Sequence, residues 1–138
     1  MSKGESIPNG ETLFRFVNPS ALPKGQNELS VGIFNYPELS CDWKKLRPNP
    51  ETSFHISEGK TLVIAIEICD QIKNPENPKR SGEKVEAWKQ EVIHDPIGAE
   101  DDLVHGENEA HSLIKGKKRK AVVDAIRENS VIHRNYSH

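Results

Sequence analysis

Histidine and carboxylate side chains are concentrated in one segment of the sequence, from residue 94 to residue 111. Imidazole and carboxylate groups together bind zinc, manganese or iron, and a carboxylate beside an imidazole supports acid–base catalysis. Gly98 and Gly106 interrupt the segment, so it contains no helix-borne metal signature such as HExxH. The alternative is an acidic loop in solvent that carries histidines by chance. The polar residues concerned are His94, Asp95, Asp101, Asp102, His105, Glu107, Glu109 and His111.

Three of these residues, His94, Asp95 and His111, are our candidate catalytic residues. Each flanks the end of a predicted strand, where a rigid scaffold can hold a side chain in place. The segment matches no recognised ligand spacing, and the chain contains no cofactor motif. We therefore predict neither a metal ligand nor a cofactor.

A run of cations precedes the last predicted helix. Residues 115 to 120 read Lys-Gly-Lys-Lys-Arg-Lys, which is five cations in six residues. The positive end of the helix dipole lies at the same place, so the run destabilises the helix unless an anion compensates. Free N–H groups at this helix start would bind phosphate together with Lys117, Lys118 and Arg119. The alternatives are a solvated basic surface paired with the acidic loop upstream, or a nuclear-localisation signal.

Two further residues are candidates for binding a ligand. Arg15 interrupts an apolar strand, and Trp43 follows Asp42 at the start of a proline-rich turn. Arginine can clamp an anion with two parallel hydrogen bonds, and tryptophan can form a stacking wall. The structural alternatives are a charge at a sheet edge and an aromatic anchor in the core. Cys69 carries no surrounding cysteine-protease signature and is interpreted as an inert thiol.

The clearest element that could position these side chains is the aliphatic run from residue 61 to residue 69. Leu62, Ile64, Ile66 and Ile68 alternate with Val63, Ala65 and Cys69, which predicts a central strand covered on both faces. Glu67 is the one charge inside the run. Further strands are predicted at 13–17, 29–33, 88–93 and 110–114, a short helix or turn at 40–46, an exposed loop at 73–84, and an amphipathic helix at 117–129.

These elements predict one α+β domain, in which a mixed or antiparallel sheet of four to five strands packs against a C-terminal helix. We expect a flexible N-terminal arm at 1–11, the domain at 12–130 and a tail at 131–138. A chain of 138 residues is about the length of one domain.

Composition excludes several functional classes. The formal net charge of -2 argues against a dedicated nucleic-acid binder. The two cysteines do not form a CxxC pair, so reduced thiols are favoured over a disulfide framework. No window approaches the roughly 20 apolar residues of a membrane helix, and the polar N-terminal residues do not resemble a signal peptide. We expect a cytoplasmic protein that has no membrane partner.

A set of short patterns resembles a group of small uncharacterised bacterial proteins. The patterns are Leu13-Phe14-Arg15-Phe16-Val17-Asn18-Pro19, Glu28-Leu29-Ser30-Val31, the strand that ends at Cys69, His94-Asp95-Pro96 and Asn108-Glu109-Ala110-His111. The resemblance covers about residues 12 to 128. It implies a bacterial cytoplasmic origin and brings no activity with it.

Two functional hypotheses of different class remain. The first is a binding or regulatory module whose partner is a phosphate-containing ligand or a protein. The second is an enzyme acting on a nucleotide or nucleic acid, with His94, Asp95 and His111 in catalysis and the basic helix start on the phosphate. The second hypothesis requires that these residues line one cleft, because proton transfer needs hydrogen-bond reach.

Overall fold

The computed structural model describes residues 4–21, 29, 31–80, 83–100, 102 and 106–136, although the side chain of Val31 is not described. These residues form one antiparallel sheet of six strands with three helices, so the α+β prediction is confirmed. The strands are β1 (Thr12–Val17), β2 (Glu38–Trp43), β3 (Leu62–Glu67), β4 (Glu91–His94), β5 (His111–Lys115) and β6 (Ser130–Asn135). The helices are α1 (Phe54–Ser57), α2 (Asp70–Lys73) and α3 (Lys120–Glu128).

The strand order across the sheet is β4-β5-β2-β1-β3-β6. The sheet therefore has six strands where the sequence predicted four or five. One additional strand is β2, which overlaps the segment at 40–46 predicted as a short helix or turn. In β2 the side chains of Leu39, Cys41 and Trp43 are buried at every second position, which is the period of a strand. The other is β6, in the segment predicted as a tail.

One face of the sheet, which we call the helix-covered face, holds the main core. Alternate residues of the inner strands, such as Leu13, Trp43 and Ile64, belong to one buried cluster with Val122 and Ile126 of α3. The strong amphipathicity predicted for 117–129 is thus realised in α3, although the helix starts three residues later at Lys120. As predicted, β3 is buried on both sides, and it lies between β1 and β6.

The opposite face, which we call the site face, is more polar. The strand register pairs Phe14 with Asp42 and Asp42 with His111, and directly opposed residues point to the same side of a sheet. Phe16 and Ser40 lie on this face too, because each is two residues from one of them. Around Phe14, Phe16 and Val63 a second, smaller apolar cluster is covered by Ile56 of α1 and Tyr136.

Residues 4 to 7, which belong to the segment predicted as an arm, pack beside β4. The Ile7 side chain is completely buried, and its N–H donates to the Val92 carbonyl at 2.8 Å. Gly4 N–H donates to the His94 carbonyl at 2.7 Å. The segment thus covers the outer edge of β4 and removes an exposed row of backbone groups. This packing could not be predicted from the local sequence, because Ile7 is a single apolar residue among polar ones.

The predicted strand at 29–33 is wrong where the structure describes it, since Val31–Phe34 form a short 3-10 helix. Ile33 and Phe34 are consecutive residues and both are buried, a pattern that a strand with one buried face cannot give. The preceding turn at 23–27 lies outside the described residues. The predicted strands at 88–93 and 110–114 correspond to β4 and β5, and Glu86–Trp88 form a 3-10 helix before β4. Among the described residues, no helix has the length and apolar character needed to cross a membrane.

Candidate functional site

The candidate site starts at the ends of β4 and β5, where Asp95 and His111 meet on the site face. The His111 Nδ1 atom lies 2.8 Å from the Asp95 backbone oxygen and 3.4 Å from the Asp95 carboxylate. The Asp95 N–H in turn donates to the His111 carbonyl at 2.9 Å. On the other side of the imidazole ring, Nε2 lies 3.3 Å from the Ser40 hydroxyl. The predicted pair of Asp95 and His111 is therefore adjacent, and it gains Ser40 from β2.

A gap in the sheet lies beside these residues. The pairing of β1 with β2 covers only Leu13 with Trp43 and Phe14 with Asp42. Lys44 N–H donates to the Thr12 carbonyl. If the two strands continued to pair in the same register, the Phe16 N–H would donate to the Ser40 carbonyl. Instead the strands separate, and an arginine side chain enters the space between them.

Arg15 provides that side chain. Its Nη1 donates to the Ser40 carbonyl at 3.0 Å, and its Nε donates to the Ile33 carbonyl at 3.3 Å. The guanidinium thus supplies to Ser40 the donor that a neighbouring strand would have supplied. It also lies over the Tyr36 ring, 5.2 Å from the centroid, which is within cation–π distance. Arg15 is held in place from three directions.

The gap forms a cavity of about 330 Å³. Among the residues that the structure describes, two permanent cations, Arg15 and Lys60, line the cavity together with one carboxylate, that of Glu38. Two histidines, His55 and His111, also line it. Its lining residues are Arg15, Phe16, Tyr36, Glu38, Ser40, Cys41, His55, Lys60 and His111. The excess of positive charge favours an anionic occupant.

His55 reaches the cavity from α1. Ser53 begins this helix, and its hydroxyl accepts a hydrogen bond from the His55 N–H at 3.2 Å. The imidazole stacks on Phe16, with ring centroids 5.0 Å apart, and contacts Phe54 at 4.1 Å. Burial among these rings lowers the pKa of His55 from 6.5 to about 4. His55 is therefore neutral near pH 7 and offers a hydrogen-bonding nitrogen without a charge.

A network of polar side chains around the buried Asp42 carboxylate lies next to the candidate site. The Asp42 carboxylate is 1% exposed, and the Arg47 Nε atom lies 3.0 Å from it in an ion pair. The Asn108 amide donates to the other Asp42 oxygen at 2.9 Å, and Arg47 Nη2 donates to the Asn108 side-chain oxygen at 3.2 Å. These three side chains close a ring of contacts. Since Asp42 is the strand partner of His111, the ring fixes the start of β5.

The other candidate catalytic residue, His94, lies elsewhere. It is opposite Ser112 in the pairing of β4 with β5, on the helix-covered face, and its ring meets the Trp43 ring edge-on at 5.5 Å. Its Nε2 lies 2.6 Å from the Glu109 carbonyl, so this nitrogen donates. Trp43 is buried beside it, and its indole N–H donates to Glu11 at 2.8 Å. Neither His94 nor Trp43 lines the cavity.

The basic helix start is also separate from the cavity. The Lys118 ammonium group donates to the carbonyls of Ile114 at 2.9 Å and Gly116 at 2.8 Å. Burial lowers the pKa of Lys118 to about 8. Lys117 and Arg119 are exposed, and Arg119 is the N-cap residue of α3. None of these three residues lines the cavity that contains His111.

Of the residues selected from the sequence, the structure brings His111 and Arg15 into one cavity. It leaves Glu67 exposed at the end of β3, and Cys69 partly buried. Asp101 and His105 lie outside the described residues. Among the residues that are described, no group of three histidine, cysteine or carboxylate side chains is placed to hold a metal ion.

Sequence reasoning did not select Ser40, His55, Lys60, Tyr36 or Glu38. The alternation of β2 was the available signal for Ser40, since it places Glu38, Ser40 and Asp42 on one face. A second cavity of about 530 Å³ lies between the α2 region and α3, and both lysines that line it are paired with carboxylates. Lys84 contacts both Asp70 and Glu76, and Lys120 contacts Asp124.

Comparison of the chain with protein-family models, with curated proteins and with solved structures found no match in any of the three.

Proposed function

We propose that this domain binds a small anionic ligand, one that carries a phosphate or carboxylate group, in the cavity between β1 and β2. The observation that carries the proposal is the position of Arg15, whose guanidinium lies within a strand gap and lines a cavity that a small molecule can enter. A volume of about 330 Å³ falls within the usual range for small-molecule sites.

The chemistry of the lining supports an anion. A guanidinium has five N–H donors in a planar fork, and the bonds to Ser40 and Ile33 engage two of them. The fork is pre-oriented by these bonds, so little side-chain entropy is lost when it binds a carboxylate or phosphate. Lys60 adds a second positive charge, and the neutral His55 adds a polar nitrogen.

This proposal continues the binding-module hypothesis. The enzyme hypothesis that used the basic helix start is less favoured, since Lys117, Lys118 and Arg119 do not line the cavity of His111. We also propose a cytoplasmic location, which is supported by two cysteines that do not pair with each other.

The test is calorimetric titration of the purified chain with inorganic phosphate, adenosine monophosphate and citrate. We expect at least one of them to bind, and Lys60→Gln to weaken that binding by more than about 10-fold, because a hydrogen bond to a charged group contributes roughly 1.5–3 kcal/mol. Arg15→Lys, which keeps the charge and loses the fork, should weaken binding at least as much.

Arg80→Gln is the matched control, since Arg80 is a highly exposed cation that pairs with Glu83 and does not line the cavity. Its affinity should equal that of the unchanged protein. The proposal fails if none of the three ligands binds, or if Lys60→Gln and Arg80→Gln have equal effects.

A further inference from the structure

We infer that Ser40 is a nucleophile activated by His111, and that the domain hydrolyses small esters whose charged end lies near Arg15 and Lys60. The inference rests on the proposed anion site, because that site would orient the ester. It adds to ligand binding a covalent step at a named atom.

The hydrogen-bond partners of His111 determine which ring nitrogen carries the proton. A backbone carbonyl can only accept, so the 2.8 Å contact with the Asp95 oxygen requires a proton on Nδ1. In the neutral imidazole, Nε2 then has a lone pair and accepts from the Ser40 hydroxyl at 3.3 Å. This is the tautomer and direction that a general base needs to remove a proton from serine.

The separation of Ser40 from His111 is slightly longer than the roughly 2.6–3.2 Å of an engaged nucleophile and base, as is common without substrate. Asp95 is the positioning residue. Its carboxylate is 3.4 Å from Nδ1, so it orients the ring together with its own backbone oxygen and stabilises the imidazolium that forms.

Exposure also favours Ser40 as the reacting group. Ser40 is exposed on β2 and lines the cavity, whereas the hydroxyl of Ser112 on the neighbouring strand is fully buried and donates to the Ala110 carbonyl at 3.0 Å. The Ser40 carbonyl is fixed by Arg15, and its side chain faces His111. A nucleophile needs this combination of a fixed backbone and an accessible oxygen.

The reaction has two steps, acylation of Ser40 and hydrolysis of the acyl group. In the first, the Ser40 oxygen attacks the ester carbonyl carbon while its proton moves to His111 Nε2. The bond to the leaving oxygen then breaks, and that oxygen takes the proton from His111 to leave as an alcohol. In the second, His111 removes a proton from water, the hydroxide attacks the acyl carbon, and Ser40 leaves with the proton, which releases the acid. Arg15 and Lys60 hold the charged end of the ester in place through both steps.

The experiment combines a fluorophosphonate probe, which forms a bond between the serine oxygen and phosphorus and releases fluoride, with hydrolysis of mono-p-nitrophenyl succinate, an ester with a carboxylate end. We expect Ser40→Ala to lose this hydrolysis. We expect one adduct per chain, located at Ser40 by peptide mass spectrometry. Ser40→Ala should abolish it, and His111→Gln should slow its formation about 100-fold, a typical effect of losing a general base. Ser57→Ala is the matched control, since Ser57 is exposed in α1 and bonds the Phe54 carbonyl.

Asp95→Asn tests positioning. We expect the maximal labelling rate to fall about 10-fold while the probe concentration for half-maximal rate stays unchanged, whereas a general loosening of the site would change both. Circular dichroism verifies that each variant is folded.

The inference is overturned if the unchanged protein forms no adduct, if the adduct lies on another residue, or if His111→Gln labels as fast as the unchanged protein. Calorimetry of the unchanged protein with inorganic phosphate, beside its labelling, separates the two proposals. If phosphate binds but no labelling occurs, the anion site is retained and the nucleophile is refuted. If labelling occurs but phosphate does not bind, the nucleophile is retained and the anion site is refuted.

Discussion

The ion pair of Asp42 and Arg47 gives the sharpest prediction of stability. The Asp42 side chain is 1% exposed and that of Arg47 is 20% exposed. Arg47→Met retains most of the packing volume and removes the positive charge, which leaves the buried carboxylate with the Asn108 amide as its remaining partner in the network. Breaking a buried pair by removal of one partner costs about 3–5 kcal/mol. Because Arg47 is partly exposed, we expect about 3 kcal/mol.

The corresponding change in melting temperature follows from chain length. An unfolding entropy of ~2.1 cal/mol/K per residue over 138 residues gives about 0.3 kcal/mol/K, so a loss of about 3 kcal/mol lowers the melting temperature by about 10 °C. The assay is urea unfolding followed by tryptophan fluorescence, with calorimetry for the melting temperature. The double variant Asp42→Asn/Arg47→Met removes both charges and should recover part of the loss, which shows coupling between the two residues.

Lys89→Met is the matched control, because Lys89 and Glu86 form an ion pair with the same 3.0 Å separation but with 51% and 84% of the side chains exposed. We expect its effect to stay below about 1 kcal/mol. The reasoning would be refuted if Arg47→Met and Lys89→Met cost the same, or if the double variant were as unstable as the sum of its single variants.

Three further predictions concern single groups. The pKa of His55 in the folded protein, about 4, lies below its ordinary value of 6.5. As the pH falls, the unfolded chain therefore binds more protons than the folded protein. Stability is then complete above pH 6.5 and falls toward pH 4 by about 1–2 kcal/mol after allowance for screening, and urea unfolding at both pH values should show this loss smaller in His55→Phe. Burial raises the pKa of Cys41 to about 12, so in native protein a disulfide reagent should modify Cys69 first and Cys41 only on unfolding, as peptide mapping would show. Ile7→Ala should destabilise by about 2–4 kcal/mol in urea unfolding, and Ile132→Ala, whose side chain is 38% exposed, by less than about 1 kcal/mol.

Strong local periodicity made part of the fold predictable. The aliphatic alternation of β3 and the amphipathic pattern of α3 extend over six or more residues, so one local pattern outweighed any competing one. By contrast, β2 has a buried carboxylate, Asp42, where alternation predicts a residue in contact with solvent. The burial of this carboxylate depends on a hydrogen bond from Asn108, which lies 66 residues further along the chain, and a local pattern cannot contain that information.

The site was predictable to the same limited degree. Asp95 and His111 were found because they flank strand ends, and Arg15 because a charge interrupts an apolar strand. His94 shares the residue type and the position at a strand end, but its strand register turns it to the other face. A shift of one residue in register reverses the side to which a side chain points, and register is a property of the folded sheet.

The gap beside Arg15 divides the sheet into two three-stranded halves, β4-β5-β2 and β1-β3-β6. Two residue pairs, the hydrogen bond from Lys44 N–H to the Thr12 carbonyl and the Arg15 guanidinium link them. This seam is the line along which the sheet has its fewest backbone bonds, so amides on either side should exchange with deuterium as two separate cooperative units. Any molecule that contacts both Arg15 and His111 spans the seam. Its binding would then link the two halves, so a ligand in the cavity should slow deuterium exchange at amides of both halves, including amides far from the cavity.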